Sequence, residues 1–127
     1  MKKLISSGAK WETIVGYSRA VRVGNVIEVS GTVASDGNNV VGKNDVYLQT
    51  KFILKKIETA LKEADAFLND VVRTRIYVKD ISKWSEVAKA HQDVFGNIKP
   101  ATSMVEVSAL ISPEYLVEIE ATAILDF

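Results

Sequence analysis

The sequence predicts an α+β fold in which two helices cover one face of a single mixed sheet. Two segments, at about 46–64 and 83–95, carry apolar residues at helical spacing. The segments around them alternate apolar and polar residues at period two, as half-buried strands do. A Gly24-Asn25 pair sits between two apolar runs, which is a hairpin signal. These observations give the order β-β-β-α-β-α-β-β within one domain, residues 1–127.

Each element has its own local reason. Lys10 to Val15 reads as a short strand, because Ile14 and Val15 are β-branched. Arg19–Val23 and Val26–Ser30 flank the Gly-Asn pair, whose residues tolerate positive φ. Thr32 to Asn44 is rich in Gly, Asn and Asp and reads as a loop. Asp45 is placed to N-cap the first helix, whose face is Thr50, Ile53, Leu54, Ile57, Ala60, Leu61 and Ala64. Asp65 occupies the C-terminal turn position where glycine is easier, so left-handed backbone is expected there. Asp70–Val78 is a strand. Asp80 and Ser82 are helix-start residues, Trp84, Val87, His91 and Val94 form the second stripe, and Gly96 ends it. Ser103–Leu110 and Leu116–Leu125 read as the last two strands, with Pro113 in their connection.

Alternation then divides the sheet into two faces. Val72, Thr74, Ile76 and Val78, with Val105, Val107, Val117, Ile119, Ala121 and Ala123, are expected to meet the helices. The opposite face carries Arg73, Arg75, Tyr77, Met104, Glu106, Ser108, Glu118, Glu120 and Thr122. A sheet face without helices is either solvated or covered by another subunit. The mixture of charge and apolar residues here favours coverage.

Composition narrows the function classes. Sixteen basic residues balance sixteen acidic ones, so the chain lacks the positive field that nucleic-acid binding uses. There is no Cys, which excludes disulfides and thiolate chemistry and fits a reducing, cytoplasmic setting. One His leaves no multi-histidine metal site. No apolar run reaches the roughly 20 residues of a membrane span, and Met1–Ile5 is too short for a signal-peptide core. Phosphate-loop, dinucleotide, HExxH and GxSxG motifs are absent. Glu118 and Glu120 share a strand face. One of them is a candidate general base if burial raises its affinity for a proton, and pairing with Arg73 and Arg75 is the plainer alternative. His91 on an apolar helix face reads as packed, as do Trp11 and Trp84, which are core or interface residues.

Several segments together resemble the RidA/YjgF family of reactive-intermediate deaminases. Gly16-Tyr17-Ser18-Arg19-Ala20-Val21 is similar to the family's Gly-Pro-Tyr-Ser-Gln-Ala segment. Gly24-Asn25 through Gly31, Gln49-Thr50 and Asp70–Thr74 match in order and spacing, and the most specific segments are Pro100–Val107 and Val117–Ala121. The resemblance implies a chorismate-mutase-like fold assembled as a homotrimer, with small-molecule clefts between subunits and no cofactor. It implies hydrolysis of 2-imino acids or their enamine tautomers to 2-keto acids and ammonia. It assigns Tyr17, Gly31, Ala88, Thr102 and Met104 to substrate binding and Glu118 to positioning the attacking water.

The resemblance is incomplete at the site. Deaminating members read Pro-Ala-Arg-Ser where this chain has Thr102, and that Arg forks onto the substrate carboxylate. Thr offers one neutral hydrogen bond and no charge. Ala88 stands where many members have Asn, His91 where Tyr is common, and Met104 where Cys is usual. Three readings follow. The cleft takes a different, less anionic molecule. The protein binds a ligand, or acts as a chaperone-like module, without turnover. Or Arg75 substitutes as a catalytic arginine. Some relatives are labelled endoribonucleases, a role that zero net charge does not favour.

Overall fold

The computed structural model describes residues 1–126. Six strands form one sheet in the order β1-β2-β3-β8-β6-β7. They are β1 (Lys2–Ile5), β2 (Ala20–Val23), β3 (Val26–Thr32), β6 (Val71–Val78), β7 (Ala101–Glu106) and β8 (Val117–Ile124). Two-residue strands β4 (Ser35–Asp36) and β5 (Asn39–Val40) pair separately within the segment expected to be loop. The helices are α1 (Lys10–Val15), α2 (Val46–Glu63) and α3 (Trp84–Phe95). Only the β6–β7 pairing is parallel, so the sheet is mixed as expected.

The long elements follow their local signals. The Asp45 side chain accepts from the Leu48 amide at 3.1 Å and starts α2. Every residue of the α2 stripe, Thr50 through Ala64, is buried. Asp65 takes φ 63, the left-handed turn anticipated for it. Gly96 caps α3, and β2 and β3 meet across Gly24-Asn25. Val87 and Phe95 of α3 join Ile53, Leu54, Ile57, Ile76, Val117 and Ile119 in one core.

Three expectations are corrected. Lys10–Val15 is a helical turn and a half. The Glu12 carbonyl accepts from the Gly16 and Tyr17 amides, while its carboxylate accepts from the Ser6 hydroxyl, the Ser7 amide and the Ser7 hydroxyl. Those local bonds outweigh β-propensity, because Ile14 and Val15 are exposed and gain nothing from a sheet. Gly16 at φ 88 ends the helix in a conformation that costs other residues strain. The outer strand is instead Lys2–Ile5.

The second correction concerns β6. A bulge between Val71 and Arg73 puts Val71 in the core and leaves Val72 exposed. Third, the penultimate strand is shorter than 103–110 and faces the other way. β7 runs parallel to β6 with Thr74 beside Thr102 and Ile76 beside Met104. Since Thr74 and Ile76 are buried on the helix side, Thr102, Met104 and Glu106 lie on that side too. Val105 is 48% exposed on the helix-free face, and Val107 lies beyond the strand. An edge strand with apolar residues on both faces does not declare its facing through alternation. Trp84 and Trp11, 57% and 41% exposed, lie outside this chain's core, which leaves interface packing as the open alternative for both.

Candidate functional site

The helix-free face gathers Arg73, Arg75, Tyr77, Glu118, Glu120 and Thr122 by register. Tyr77 Oη donates to Glu120 Oε1 at 2.8 Å, and Arg75 Nη1 lies 3.9 Å from the same oxygen. Arg75 is thus held at Glu120. Among the described residues Arg73 pairs with no acid: its Nη2 donates to Ser103 Oγ at 2.8 Å. Thr122 donates to Glu28.

Glu118 is left as the distinctive carboxylate of this face. Burial pushes its carboxyl above the usual range; the Arg19 guanidinium draws it down, and Glu120 adds to the rise. A carboxylate so placed is a better proton acceptor than a solvated one. It packs over Gly31. A Cβ at Gly31 would lie 2.8 Å from Glu118 Oε2, so the missing side chain is what makes room for the carboxylate.

Arg19 is the residue that sequence reasoning missed here. It is 7% exposed, and its Nη2 donates to the Gly31 carbonyl at 2.6 Å. Its Nε is buried without a hydrogen-bond partner among the described residues. The guanidinium lies 5.5 Å from the Tyr17 ring centre, a cation–π distance. Tyr17, Gly31, Glu118 and Arg19 therefore form one cluster. An arginine just ahead of the apolar start of a strand, at Ala20-Val21, was its only sequence signal.

The other expected residues gather elsewhere. Ala88, Thr102 and Met104 line a cavity of about 330 Å³ between α3 and the β7 edge, together with Ile76, His91 and Phe95. Thr74 Oγ1 donates to Thr102 Oγ1 at 2.7 Å and lies 2.9 Å from His91 Nε2. His91 leans on Phe95 with ring centres 4.7 Å apart. Burial lowers the His91 affinity for a proton, so the ring is neutral at neutral pH. Thr74 is 0% exposed, and its hydroxyl needed a buried partner; that need was the signal overlooked in the strand pattern.

Residue 102 and Glu118 cannot meet within one chain. They stand on opposite sheet faces, and β6 separates their strands. Two strand spacings put them roughly 10 Å apart before the sheet thickness is added. Among the described residues no group of three His, Cys, Asp or Glu is placed to hold a metal ion. Among them, too, no helix is long and apolar enough to cross a membrane.

Comparison with known proteins locates this arrangement. The family model described as Endoribonuclease L-PSP matches residues 7–125. A RutC family protein of Pyrococcus abyssi is 37% identical over 123 residues, covering 96% of each chain. The 3-aminoacrylate deaminase RutC of Acinetobacter baylyi is 32% identical over 108 residues, covering 84% of this chain and 85% of its own. The crystal structure of a YjgF/YER057c/UK114 family member from Mycobacterium tuberculosis is 52% identical, with TM-score 0.91, and covers 98% of this chain and 100% of its own. The YjgF protein of E. coli superposes with TM-score 0.84 at 29% identity, covering 96% and 98%. The α+β fold with its mixed sheet is therefore the chorismate-mutase-like fold of these relatives, and the chain belongs to the RidA/YjgF family, the Endoribonuclease L-PSP family of the matching model.

Proposed function

We propose that the chain works as a homotrimer whose small-molecule clefts lie between subunits, each cleft drawing its two halves from different chains. The separation of Glu118 from Thr102 within one chain carries this reading. One subunit contributes Tyr17, Gly31, Arg19 and Glu118. Its neighbour contributes Ala88, Thr102, Met104 and His91. The exposed β7 edge supports the same arrangement, since an unpaired edge strand invites coverage.

In that cleft Glu118 acts as general base. It takes a proton from water, and the hydroxide oxygen bonds to the imine carbon as the C=N electron pair moves to nitrogen. Proton return to nitrogen gives a carbinolamine. Glu118 then takes its hydroxyl proton and passes it to the amino nitrogen, the oxygen pair closes to a carbonyl as the C–N bond breaks, and ammonia leaves. The substrate differs from the 2-imino acids of the arginine-bearing members. A bidentate, charge-assisted pair at residue 102 is replaced by one neutral hydrogen bond, a loss of roughly 10²-fold or more in imino-acid turnover. Arg75, held by Glu120, keeps a structural role in this reading.

Sedimentation velocity at micromolar concentration tests the assembly: three 14.0 kDa chains give a particle of about 42 kDa. A lone chain with the helix-free face wet would overturn the proposal. Trapping imines as semicarbazones tests the chemistry. Thr102→Arg should raise imino-acid hydrolysis, and no rise would mean that the rest of the cleft no longer serves that reaction.

A further inference from the structure

We propose that Thr102, Thr74 and His91 form a neutral hydrogen-bond relay that selects an uncharged polar ligand over a carboxylate in the α3–β7 cavity. The assignment rests on the intersubunit cleft proposed above and names the ligand class that its residue-102 half accepts. Thr102 is the ligand-touching group, and His91 is a positioning residue that acts through Thr74.

The proton count supports it. Thr74 has one hydroxyl proton and two neighbours, Thr102 Oγ1 at 2.7 Å and His91 Nε2 at 2.9 Å. If Thr74 donates to Thr102, then His91 must carry its proton on Nε2 and donate to Thr74. The Thr102 proton is then free to point into the cavity as a donor. In the opposite arrangement Thr102 donates to Thr74, and Thr74 donates to a bare Nε2. Thr102 then offers the cavity only lone pairs. The cavity meets a donor or an acceptor according to the His91 tautomer, and in both states the relay carries no charge.

The surroundings favour the same ligand. Ile76, Ala88, Phe95 and Met104 give the cavity an apolar body. Burial disfavours the imidazolium, so His91 does not supply a cation. Among the described residues Lys99 is the single charged side chain on the lining, and it is exposed. A carboxylate entering here exchanges its hydration for one neutral hydrogen bond. A carboxamide or ketone of the same shape loses far less hydration and gains the same bond. The ligand class is therefore a small molecule with an apolar body ending in an uncharged hydrogen-bonding group.

A shape-matched pair isolates the charge: 2-oxobutanamide and 2-oxobutanoate, titrated into the assembled protein with affinity read by calorimetry or saturation-transfer NMR. The amide should bind at least tenfold tighter. Thr102→Val should weaken the amide about fivefold, the worth of one neutral hydrogen bond, and leave the carboxylate nearly unchanged. Thr102→Arg should reverse the preference. His91 is the only histidine, so its ring ¹⁵N shifts report the tautomer without assignment by mutagenesis. Amide binding should redistribute the two tautomers in the unmodified protein and not in Thr102→Val, a readout that a merely structural histidine would not move. A trimer that binds the carboxylate as tightly as the amide, binds neither probe, or ignores Thr102→Val overturns the relay alone. A monomer that binds neither overturns the intersubunit cleft and this assignment with it.

Discussion

Thr74→Val should destabilise the protein by about 1–2 kcal/mol while leaving its shape intact. The substitution is close to isosteric at a site that is 0% exposed, so it exchanges a hydroxyl for a methyl without opening a cavity. Two hydrogen bonds vanish, one to Thr102 Oγ1 and one to His91 Nε2. Thr102 stands at the accessible strand edge, where water replaces the lost partner, so its share is small. His91 Nε2 is less accessible, and stranding a buried polar atom costs about 1–3 kcal/mol. The new methyl offsets up to about 0.8 kcal/mol through added apolar contact. For a chain of this length the net effect lowers Tm by roughly 3–10 °C. Urea denaturation at a fixed protomer concentration measures it, which holds any contribution from self-association constant between samples. Thr102→Val is the control and should cost less, since its own hydroxyl faces water and the buried Thr74 hydroxyl keeps His91 Nε2 as a partner. Equal stability of Thr74→Val and the unmodified protein, or a larger loss from Thr102→Val, would refute the relay as a buried structural unit.

Three further outcomes follow from the Glu118 cluster. Arg19→Gln removes the charge that opposes burial at Glu118, so the Glu118 carboxyl should titrate at still higher pH; a ¹³C carboxyl titration that does not move would count against their coupling. Glu118→Gln should cost about 10²–10⁴-fold in any hydrolysis that uses it as base. It should also raise stability at neutral pH: a carboxyl raised in the folded state favours folding at low pH, and that advantage fades as pH climbs from the unfolded value near 4.5 through the folded one. Denaturation curves at pH 4 and pH 7 check the sign, with the wild type losing stability between them relative to the variant. Gly31→Ala drives a Cβ to 2.8 Å from Glu118 Oε2, which is the end of a flexible side chain, so the fold should survive while hydrolysis falls. Activity and Tm measured on the same sample separate the two effects.

Most of the scaffold was legible because periodicity and local chemistry agreed. The α2 stripe, its Asp45 cap and the Asp65 turn each have a signal within four residues. The errors fall where contacts outside the element itself decide. Nothing local in Lys10–Val15 shows that the Glu12 carboxylate will be claimed by Ser6 and Ser7. The facing of β7 depends on its parallel register with β6, which alternation does not encode. That single parity error had a functional consequence. It put Met104 on the same face as Glu118, whereas the structure puts Met104 with Thr102, Ala88 and His91. Arg19 escaped notice because its importance lies in a contact twelve residues away, at the Gly31 carbonyl.

In the cleft proposed above, the two half-sites carry different electrostatics, and that division bears on how such a cleft can change its ligand. Around Glu118 the charges are real and close: a buried guanidinium, a raised carboxylate and an aromatic face. Around Thr102 every hydrogen bond is neutral. No described hydrogen bond or ion pair links the two halves within one chain, so residue 102 can exchange a cation for a hydroxyl without disturbing the base. The reverse does not hold for the relay. Placing a guanidinium at 102 removes the acceptor of the Thr74 proton and sets a charge beside a ring that burial already keeps neutral. Thr102→Arg should thus restore anion recognition only by giving up the Thr74 bond. A companion change of His91 to the Tyr that commonly stands there in the family should relieve that conflict and raise imino-acid turnover beyond the single variant.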